Sequence, residues 1–354
     1  MINPLATVNI GNRLVGPGQP CFVIAEIGIN HNGDILTAMR MIDAISEAGA
    51  DCVKFQTFQA DGFCSNPDDT YEYVSQGQTV RESMLEMFRR VEIPYDDFAG
   101  LFEHARDQGL IALSTPTDEE AVDALDSLDA EAFKIGSDDI VYTPFLEYIA
   151  TKGKPMIVSA GMANAADIDR AVTAIQRCGN DEIIILHCVS QYPTPEENLN
   201  LRKIASIRDH FGIQVGFSDH SEGVHAAAAA VAMGSTVIEK HFTLDKQMAG
   251  PDHRFSADPA ELADLVKAVR MTEKMMGSAD PKPTHEESEM ALISRRSIIA
   301  ANSLPDGHVL RKEDVLFQRP GTGLLPYEIN KLVGCALINP VTRGELLRLD
   351  HFFD

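Results

Sequence analysis

Four short apolar runs in the sequence end in polar side chains whose types could do chemistry. Two of them, Val215–His220 (VGFSDH) and Thr236–His241 (TVIEKH), each finish on a histidine. Two histidines on adjacent strands could bind one divalent metal ion and leave positions open for water or substrate. Such a site suits Mn²⁺, Co²⁺, Fe²⁺ or Zn²⁺ better than Ca²⁺. The other two runs, Ala132–Ser137 (AFKIGS) and Cys52–Gln56 (CVKFQ), contain a lysine.

Lys54 and Lys134 are the lysines of these runs, and they stand in a strongly acidic chain. Positive charge with several hydroxyl donors is what a phosphate group requires. Taken singly, each lysine could instead pair with Glu26 or Glu239 for structure alone, and each histidine could be a hydrogen-bonded core residue. Because polar side chains follow every predicted strand, we expect them to meet in one site. They are Glu26, Asn30, Lys54, Gln56, Ser114, Thr115, Lys134, Ser137, Asp139, Ser159, His187, Ser190, Tyr192, Ser218, Asp219, His220, Glu239, Lys240 and His241.

The elements that would position these residues alternate between strand and helix. Eight apolar runs of strand length, each followed by helical periodicity, occupy about 260 residues. This pattern predicts a parallel sheet, and its size favours a closed (β/α)₈ TIM barrel over an open sheet. The first strand is not followed by GxGxxG, which weakens a dinucleotide-binding alternative. The predicted strands are Cys21–Gly28, Cys52–Phe58, Leu110–Pro116, Ala132–Ser137, Pro155–Met162, Glu182–Val189, Gln214–His220 and Thr236–Phe242.

Segments outside this repeat set the domain organisation. Residues 59–80 form a polar insertion, predicted to be irregular and lid-like. After the barrel, a polar, proline-containing stretch predicts a linker, and short apolar runs broken by Gly and Pro then predict a small β-rich domain. The predicted boundaries are 1–280 for the barrel, 281–293 for the linker and 294–354 for the small domain. The charge changes there too: residues 1–294 hold 22 Lys/Arg and 46 Asp/Glu, whereas residues 295–354 hold 8 and 7.

Composition excludes several classes of function. The net charge of −23 argues against nucleic acid or an anionic membrane as a partner. We see neither a run long enough to span a bilayer nor the pattern of a signal peptide. The six cysteines lack metal-binding or disulfide spacing, so reduced thiols in a cytoplasmic protein are expected.

Together these segments resemble the sialic acid synthase family, which condenses phosphoenolpyruvate with an N-acetylated hexosamine. The resemblance implies a TIM barrel followed by a small domain like type III antifreeze protein (a SAF domain). It covers almost the whole chain in order. The segments that carry it are AEIGINHNGD (25–34), GADCVKFQ (49–56), FKIGSDD (133–139), VSAGM (158–162), HCVSQYPTP (187–195), GFSDH (216–220), EKHFT (239–243), GPDH (250–253) and RPGTG (319–323).

The resemblance also implies roles for individual residues. His220 and His241 match metal-binding histidines, with Mn²⁺ the expected cofactor. Phosphoenolpyruvate would be held by Lys54, Lys134, Thr115, Ser137, Ser159 and Ser218, while Glu26, Tyr192, Asp252 and Arg319 would surround the acceptor sugar. Asp139 matches a candidate base, although a glutamate is usual there. Arg319 would reach the barrel of a partner subunit, so a domain-swapped homodimer is expected.

Several functions remain open at this stage. Within the family, the acceptor could be N-acetylmannosamine, giving N-acetylneuraminate, or 2,4-diacetamido-2,4,6-trideoxymannose, giving N,N'-diacetyllegionaminate. A pseudaminate synthase is disfavoured because KIGS replaces the usual KIAS. A Schiff-base aldolase using Lys134 is an alternative enzyme, and a non-enzymatic sugar-binding module is an alternative outside catalysis. A barrel metal hydrolase would want His-x-His after the first strand, where Glu26 and His31 stand instead.

Overall fold

The computed structural model describes residues 6–64, 66 and 68–353, apart from the side chain of residue 63. The chain divides into two compact units, Met1–Gly277 and Ser278–Asp354. Their boundary lies three residues before the end predicted for the barrel domain. Within the described residues no helix combines the length and the apolar character needed to cross a bilayer.

The first unit is a (β/α)₈ barrel, which confirms the predicted fold class. In the described part of the chain, eight parallel strands form one sheet in the order β3-β2-β1-β8-β7-β6-β5-β4, and the two end strands lie beside each other, so the barrel is nearly closed. The strands are β1 Phe22–Gly28, β2 Cys52–Thr57, β3 Ile111–Pro116, β4 Phe133–Ile135, β5 Met156–Ser159, β6 Ile183–Cys188, β7 Gln214–Asp219 and β8 Val237–His241. Most end one to three residues before the predicted bound, which is the usual uncertainty of element ends.

A helix follows each strand and covers the outer face of the sheet. Local sequence fixes several helix ends: the Asp34 side chain accepts hydrogen bonds from Leu36 N and Thr37 N, and Gly49 supplies a left-handed C-cap with φ 80°. Asp258 makes a capping box ahead of Pro259. The helices are α1 Ile35–Ala48, α2 Phe98–Asp107, α3 Glu119–Ser127, α4 Thr143–Ala150, α5 Ala165–Arg177, α6 Arg202–Phe211, α7 His225–Ala232 and α8 Pro259–Met276.

The barrel interior is apolar at one end and polar at the other. A hairpin of strands Val8–Ile10 and Arg13–Val15 packs its buried side chains against the N-terminal ends of the barrel strands. Above this layer the inward-facing positions become charged or hydroxylated. The side chains of a strand alternate between its two faces, so every second residue points into the barrel. Along each strand these inward-pointing side chains change from apolar at the base to polar at the C-terminal rim. The interior base consists of Val8, Ile10, Val15, Phe22, Ile24, Cys52, Ile111, Leu113, Ala132, Ile157, Ile184, Leu186 and Val237.

The insertion after β2 is more regular than predicted. It contains a short helix Ala60–Phe63, an antiparallel hairpin of strands Thr70–Ser75 and Gln78–Ser83, and a helix Met84–Val91. Both turn residues have positive φ, 51° at Gln76 and 75° at Gly77. The expectation of an irregular segment was therefore wrong. The hairpin was not predicted because the turn sequence Gln-Gly is a weaker hairpin signal than Asn-Gly or Asp-Gly.

The second unit has its own small core. Strands Ser297–Ala300 and Val315–Gln318 pair antiparallel, isolated bridges such as Leu304↔Val341 extend the β structure, and a short helix spans Ile329–Leu332. The segment 281–293, for which we predicted a linker, overlaps a helix, His285–Ser294, that begins with a capping box at Thr284. The core residues are Ile298, Ala300, Leu304, Leu310, Val315, Leu332, Leu337, Val341, Leu347 and Phe352.

Candidate active site

A cavity of about 400 Å³ opens at the C-terminal ends of the barrel strands. Of the thirteen residues to which the family resemblance gave a role, eleven line it and two do not. Asp252 lies beside the cavity, with its Oδ2 atom 3.8 Å from His241 Nδ1. Arg319 belongs to the second unit. The eleven lining residues are Glu26, Lys54, Thr115, Lys134, Ser137, Asp139, Ser159, Tyr192, Ser218, His220 and His241.

Lys54 lies at the floor of the cavity between two carboxylates. Its Nζ atom is 2.5 Å from Glu26 Oε2 and 3.9 Å from Glu239 Oε2, and it donates to Thr115 Oγ1 at 3.0 Å. The register of the sheet causes this convergence, since Glu26 pairs with Lys54 across β1 and β2. Each of these strands therefore sends one charged side chain inward at the same level.

Lys134 approaches the same floor from the opposite side. Its Nζ atom donates to Ser159 Oγ at 2.7 Å and lies 3.7 Å from Glu239 Oε1. Ser218 in turn donates to Glu239 Oε1 at 2.9 Å. Glu239 thus joins both lysines and a hydroxyl. The sequence analysis expected it at the rim and as a possible structural partner of a lysine, but gave it no part in binding or catalysis. The sequence does indicate its direction, because Glu239 lies in β8 two residues before His241 and therefore on the same face of the strand.

Burial and charge set the ionisation of this floor. Burial opposes ionisation of Glu239, but Lys134 and Lys54 outweigh it and lower the pKa of that carboxyl to about 2. Burial raises the pKa of Glu26 to about 7 despite the nearby Lys54. The pKa of Lys54 is raised, because Glu239 and Glu26 outweigh burial, whereas burial lowers the pKa of Lys134. An anion would therefore meet positive charge and hydroxyl donors here.

His220 and His241 stand at the rim above this floor with their ring centroids 5.5 Å apart. His220 Nδ1 donates to the carbonyl oxygen of Val189 at 2.8 Å, which leaves the lone pair on Nε2. Burial lowers the pKa of His220 to about 4 and that of His241 well below its usual value. Both imidazoles are therefore neutral near pH 7, as metal ligands must be.

A divalent cation fits these two histidines, although they cannot complete its coordination alone. Within the described residues, His241 Nδ1 is buried without a hydrogen-bond partner. No group of three or more His, Cys, Asp or Glu side chains in the described ranges is arranged around a common ion position. Water or substrate would have to supply the remaining ligands, which is typical of catalytic rather than structural metal sites.

Aromatic rings enclose the histidines, and an apolar wall faces them. The Tyr192 ring lies 4.1 Å from the His220 ring and 5.1 Å from the Phe255 ring, measured between centroids. The apolar wall is formed by Phe58, Tyr71 and Phe88, which also line the cavity. The hairpin of the insertion supplies Tyr71. Sequence reasoning missed this wall, although the alternation Lys54, Gln56, Phe58 continues the inward face of β2.

Asp139 lies on the loop after β4, at the start of a short 3₁₀ helix Asp139–Val141. Burial, with a smaller contribution from Asp138, raises the pKa of Asp139 to about 6. On the same loop, Ser137 Oγ accepts a hydrogen bond from Gly161 N at 3.0 Å. A Cβ on Gly161 would lie 2.6 Å from Ser137 Oγ, so only glycine permits this approach.

Some strand-end residues do not join the site, contrary to our expectation that all of them would converge. Ser114 bonds to Thr57, and His187 bonds to the carbonyl oxygen of Leu199. The correction follows from strand geometry, because neighbouring side chains of one strand point to opposite faces. Five such residues are absent from the described lining of the cavity: Asn30, Ser114, His187, Asp219 and Lys240.

Comparisons with known proteins agree with this geometry. The chain matches the NeuB family over residues 41–281 and the SAF domain over residues 295–352. An uncharacterised protein of Methanocaldococcus jannaschii is 41% identical over 317 residues, which cover 90% of each chain. An N,N'-diacetyllegionaminic acid synthase of Legionella pneumophila is 38% identical over 340 residues, which cover 95% of this chain and 96% of that protein.

A solved structure shares the architecture. The N-acetylneuraminic acid (sialic acid) synthetase of Leptospira borgpetersenii aligns with a TM-score of 0.74 and 33% identity, covering 81% of this chain and 95% of the other. The family match spans more than half of the chain, and the Legionella relative covers nearly all of it. The chain therefore belongs to the NeuB family of sialic acid synthases and carries a C-terminal SAF domain.

Proposed function

We propose that the chain condenses phosphoenolpyruvate with N-acetylmannosamine to give N-acetylneuraminate and phosphate. The observation that carries this proposal is the cavity floor, where Lys54 and Lys134 are buried beside hydroxyl groups. Glu239 pairs with both lysines, and the hydroxyl donors beside them make the floor suited to a phosphate group. The Leptospira structure bears the name of an N-acetylneuraminic acid synthetase, which supports this choice of product.

Phosphoenolpyruvate would bind at this floor. Lys54 and Lys134 would hold its phosphate, and the surrounding hydroxyl groups would donate hydrogen bonds to its oxygens. These hydroxyls come from four different loops or strands, so the bound substrate would be fixed in one orientation. They are Thr115, Ser137, Ser159 and Ser218.

The acceptor would lie above phosphoenolpyruvate, with Glu26, Tyr192 and Asp252 around it and Arg319 supplied by a partner subunit. As the C3 atom of phosphoenolpyruvate attacks C1 of the open-chain aldehyde, the C2–C3 double bond supplies the electrons of the new C–C bond and C2 becomes cationic. The aldehyde oxygen takes a proton from solvent. Water adds at C2 while Asp139 accepts its proton. The C2–O bond to phosphate then breaks, the C2 hydroxyl gives its proton to the departing phosphate, and a 2-keto acid remains.

His220 and His241 would hold a divalent cation, with Mn²⁺ the expected ion. When bound, such an ion supplies Lewis-acid polarisation of the acceptor carbonyl. The chain's own contribution is to keep both imidazoles neutral by burial and to pack the Tyr192 and Phe255 rings beside them.

The test is phosphate release from phosphoenolpyruvate with and without N-acetylmannosamine in the presence of Mn²⁺. We expect release that depends on the acceptor, with N-acetylneuraminate identified by mass spectrometry. The Lys134→Met variant is the control for phosphate binding and should raise the KM for phosphoenolpyruvate. Absence of phosphate release with every N-acetylated hexosamine tried would refute the proposal and favour a binding module.

A second candidate acceptor is 2,4-diacetamido-2,4,6-trideoxymannose, which would give N,N'-diacetyllegionaminate. Two observations favour it: the name of the Legionella relative and the apolar wall of Phe58, Tyr71 and Phe88. An apolar wall would pack against the methyl group of a 6-deoxy sugar, but it distinguishes methyl from hydroxymethyl by only about 100-fold or less. Comparing kcat/KM for the two acceptors in one assay decides between them.

A further inference from the structure

Asp219 and Lys240 form an ion pair on the outer face of the barrel. Lys240 Nζ lies 3.0 Å from Asp219 Oδ2, and the side chains are 2% and 0% exposed. The register of β7 with β8 places the two residues directly opposite each other. On the same face, other strands present apolar side chains such as Val53 and Ile185 to the helices. Charge at this position is therefore an exception that calls for a reason.

The pair also holds the turn that follows β7. Ser221 donates to Asp219 Oδ1 from its backbone N–H at 2.9 Å and from its hydroxyl at 2.6 Å. Lys240 Nζ donates in addition to the carbonyl oxygen of Ser221. Since His220 stands between Asp219 and Ser221, both of its neighbours in the chain are bonded to Lys240.

The same lysine directly precedes His241. The network therefore ties together the two strand ends that carry the imidazoles. A buried ion pair adds little net stability compared with apolar side chains of similar volume. What this pair does provide is a fixed spacing between the backbone of β7 and that of β8 at the level of the two histidines.

We propose that Asp219 and Lys240 are positioning residues, which set the separation of His220 and His241 and thereby the affinity for a divalent cation. This inference rests on the proposed function, because it takes the two histidines as the metal ligands. Neither residue belongs to the described lining of the cavity, so the pair acts through the backbone of the two strands. Groups that orient metal ligands in this way change metal affinity by about 10- to 100-fold.

The test is a double variant, Asp219→Leu with Lys240→Met, in which neither charge is left buried alone. Mn²⁺ binding to the full chain is titrated by EPR without substrates, which measures affinity independently of turnover. We expect the dissociation constant for Mn²⁺ to rise by about 10- to 100-fold. Binding of phosphoenolpyruvate, measured by calorimetry without metal, should keep its wild-type affinity, because the floor lysines are untouched.

Two further variants keep the outcome decisive. Ser221→Ala removes the hydroxyl contact alone and should weaken Mn²⁺ binding by a smaller factor, even if the double variant fails to fold. The control replaces an exposed pair, Lys152 and Asp123, whose atoms lie 2.6 Å apart; Lys152→Met with Asp123→Asn should bind Mn²⁺ like wild type. If the double variant folds and binds Mn²⁺ with wild-type affinity, this inference alone is overturned. If the double variant does not fold, wild-type Mn²⁺ affinity in Ser221→Ala overturns it in the same way. Absence of Mn²⁺ binding by the unaltered chain would overturn the metal proposal and this inference with it.

Discussion

At the scale of single residues, Lys54 and Lys134 share one cavity floor, yet their surroundings act on them in opposite directions. Lys54 has Glu26 at 2.5 Å and Glu239 at 3.9 Å, and their charges raise its pKa. Lys134 lies 3.7 Å from Glu239, and burial lowers its pKa. A Schiff-base enzyme also requires a lysine with a lowered pKa. In the aldolase alternative, Lys134 would therefore be the lysine that forms the imine.

The first prediction distinguishes anion binding by Lys134 from imine formation by the same residue. Lys134 is hydrogen-bonded to Ser159 and close to an ionised Glu239, so we expect it to bind anions as an ammonium group. Pyruvate with borohydride should therefore leave both the activity and the intact mass of the chain unchanged. A reduced adduct that is present in wild type and absent from Lys134→Met would show an imine and establish the aldolase.

The second prediction concerns pH. Burial and Asp138 raise the pKa of Asp139 to about 6, and Asp139 can accept a proton only when ionised. The value of kcat/KM should therefore rise with pH through about 6 and then level off. Asp139→Asn should abolish this rise and lower the rate by about 10²- to 10⁴-fold.

Asp138→Asn is the matched control for this profile. It removes the neighbouring negative charge but keeps Asp139, so the midpoint of the rise should move to lower pH. A rise near pH 6 that survives in Asp139→Asn would assign the base to another group.

At the scale of elements, the sequence predicted the barrel well because its signal is periodic and repeated. Each strand is an apolar run, and most of the helices show a 3.6-residue period, although the alanine-rich α7 does not. The site was predicted less completely. Strand ends indicated which residues stand near the rim, but only the pleat decides which face each one takes. That is why Lys240 was expected in the cavity, although its side chain is not part of the described lining.

The hairpin in the insertion after β2 could not be predicted from the sequence, for a different physical reason. Its hairpin is held by contacts distant in the chain rather than by a strong turn sequence. Ser75 Oγ accepts from Gly250 N at 3.1 Å, and Gln76 Nε2 donates to the carbonyl oxygen of Gln247 at 3.0 Å. These bonds join the hairpin tip to the loop after β8, and a single sequence carries no signal for them.

The third prediction follows from this hairpin. Replacing residues 70–83 with a short Gly/Ser linker should raise the KM for the acceptor sugar by about 10-fold or more, because Tyr71 leaves the cavity wall. The KM for phosphoenolpyruvate should change little, since the floor does not depend on the insertion. Ser75→Ala, which removes one tip contact, should produce the same pattern in weaker form. Equal increases in both KM values would show that the hairpin supports the whole site.

At the scale of the whole molecule, the two units differ in charge as well as in fold. Met1–Gly277 holds 21 more acidic than basic side chains, whereas Ser278–Asp354 holds two more acidic than basic. Arg319 stands in the second unit, just after the strand Val315–Gln318. We propose that it completes the acceptor site of a partner subunit in a domain-swapped homodimer.

The fourth prediction tests that proposal by complementation. Arg319→Ala should raise the KM for the acceptor and leave that for phosphoenolpyruvate nearly unchanged, and Lys54→Met should be inactive. If Arg319 acts across subunits, mixed dimers of these two variants contain one complete site, so random reassociation should restore about a quarter of wild-type activity. No recovery in mixtures shown to exchange subunits would place Arg319 in its own chain's site.

The apolar base of the barrel has a consequence for the order of events. The N-terminal hairpin fills that end with Val8, Ile10 and Val15, so that in the described part of the chain the cavity is closed at its base and opens at the C-terminal rim. Whatever occupies the lysine floor must enter first and leave last. Phosphoenolpyruvate should therefore bind before the sugar, and phosphate should leave after the sugar acid. Product inhibition would reveal this order, with phosphate competitive against phosphoenolpyruvate alone.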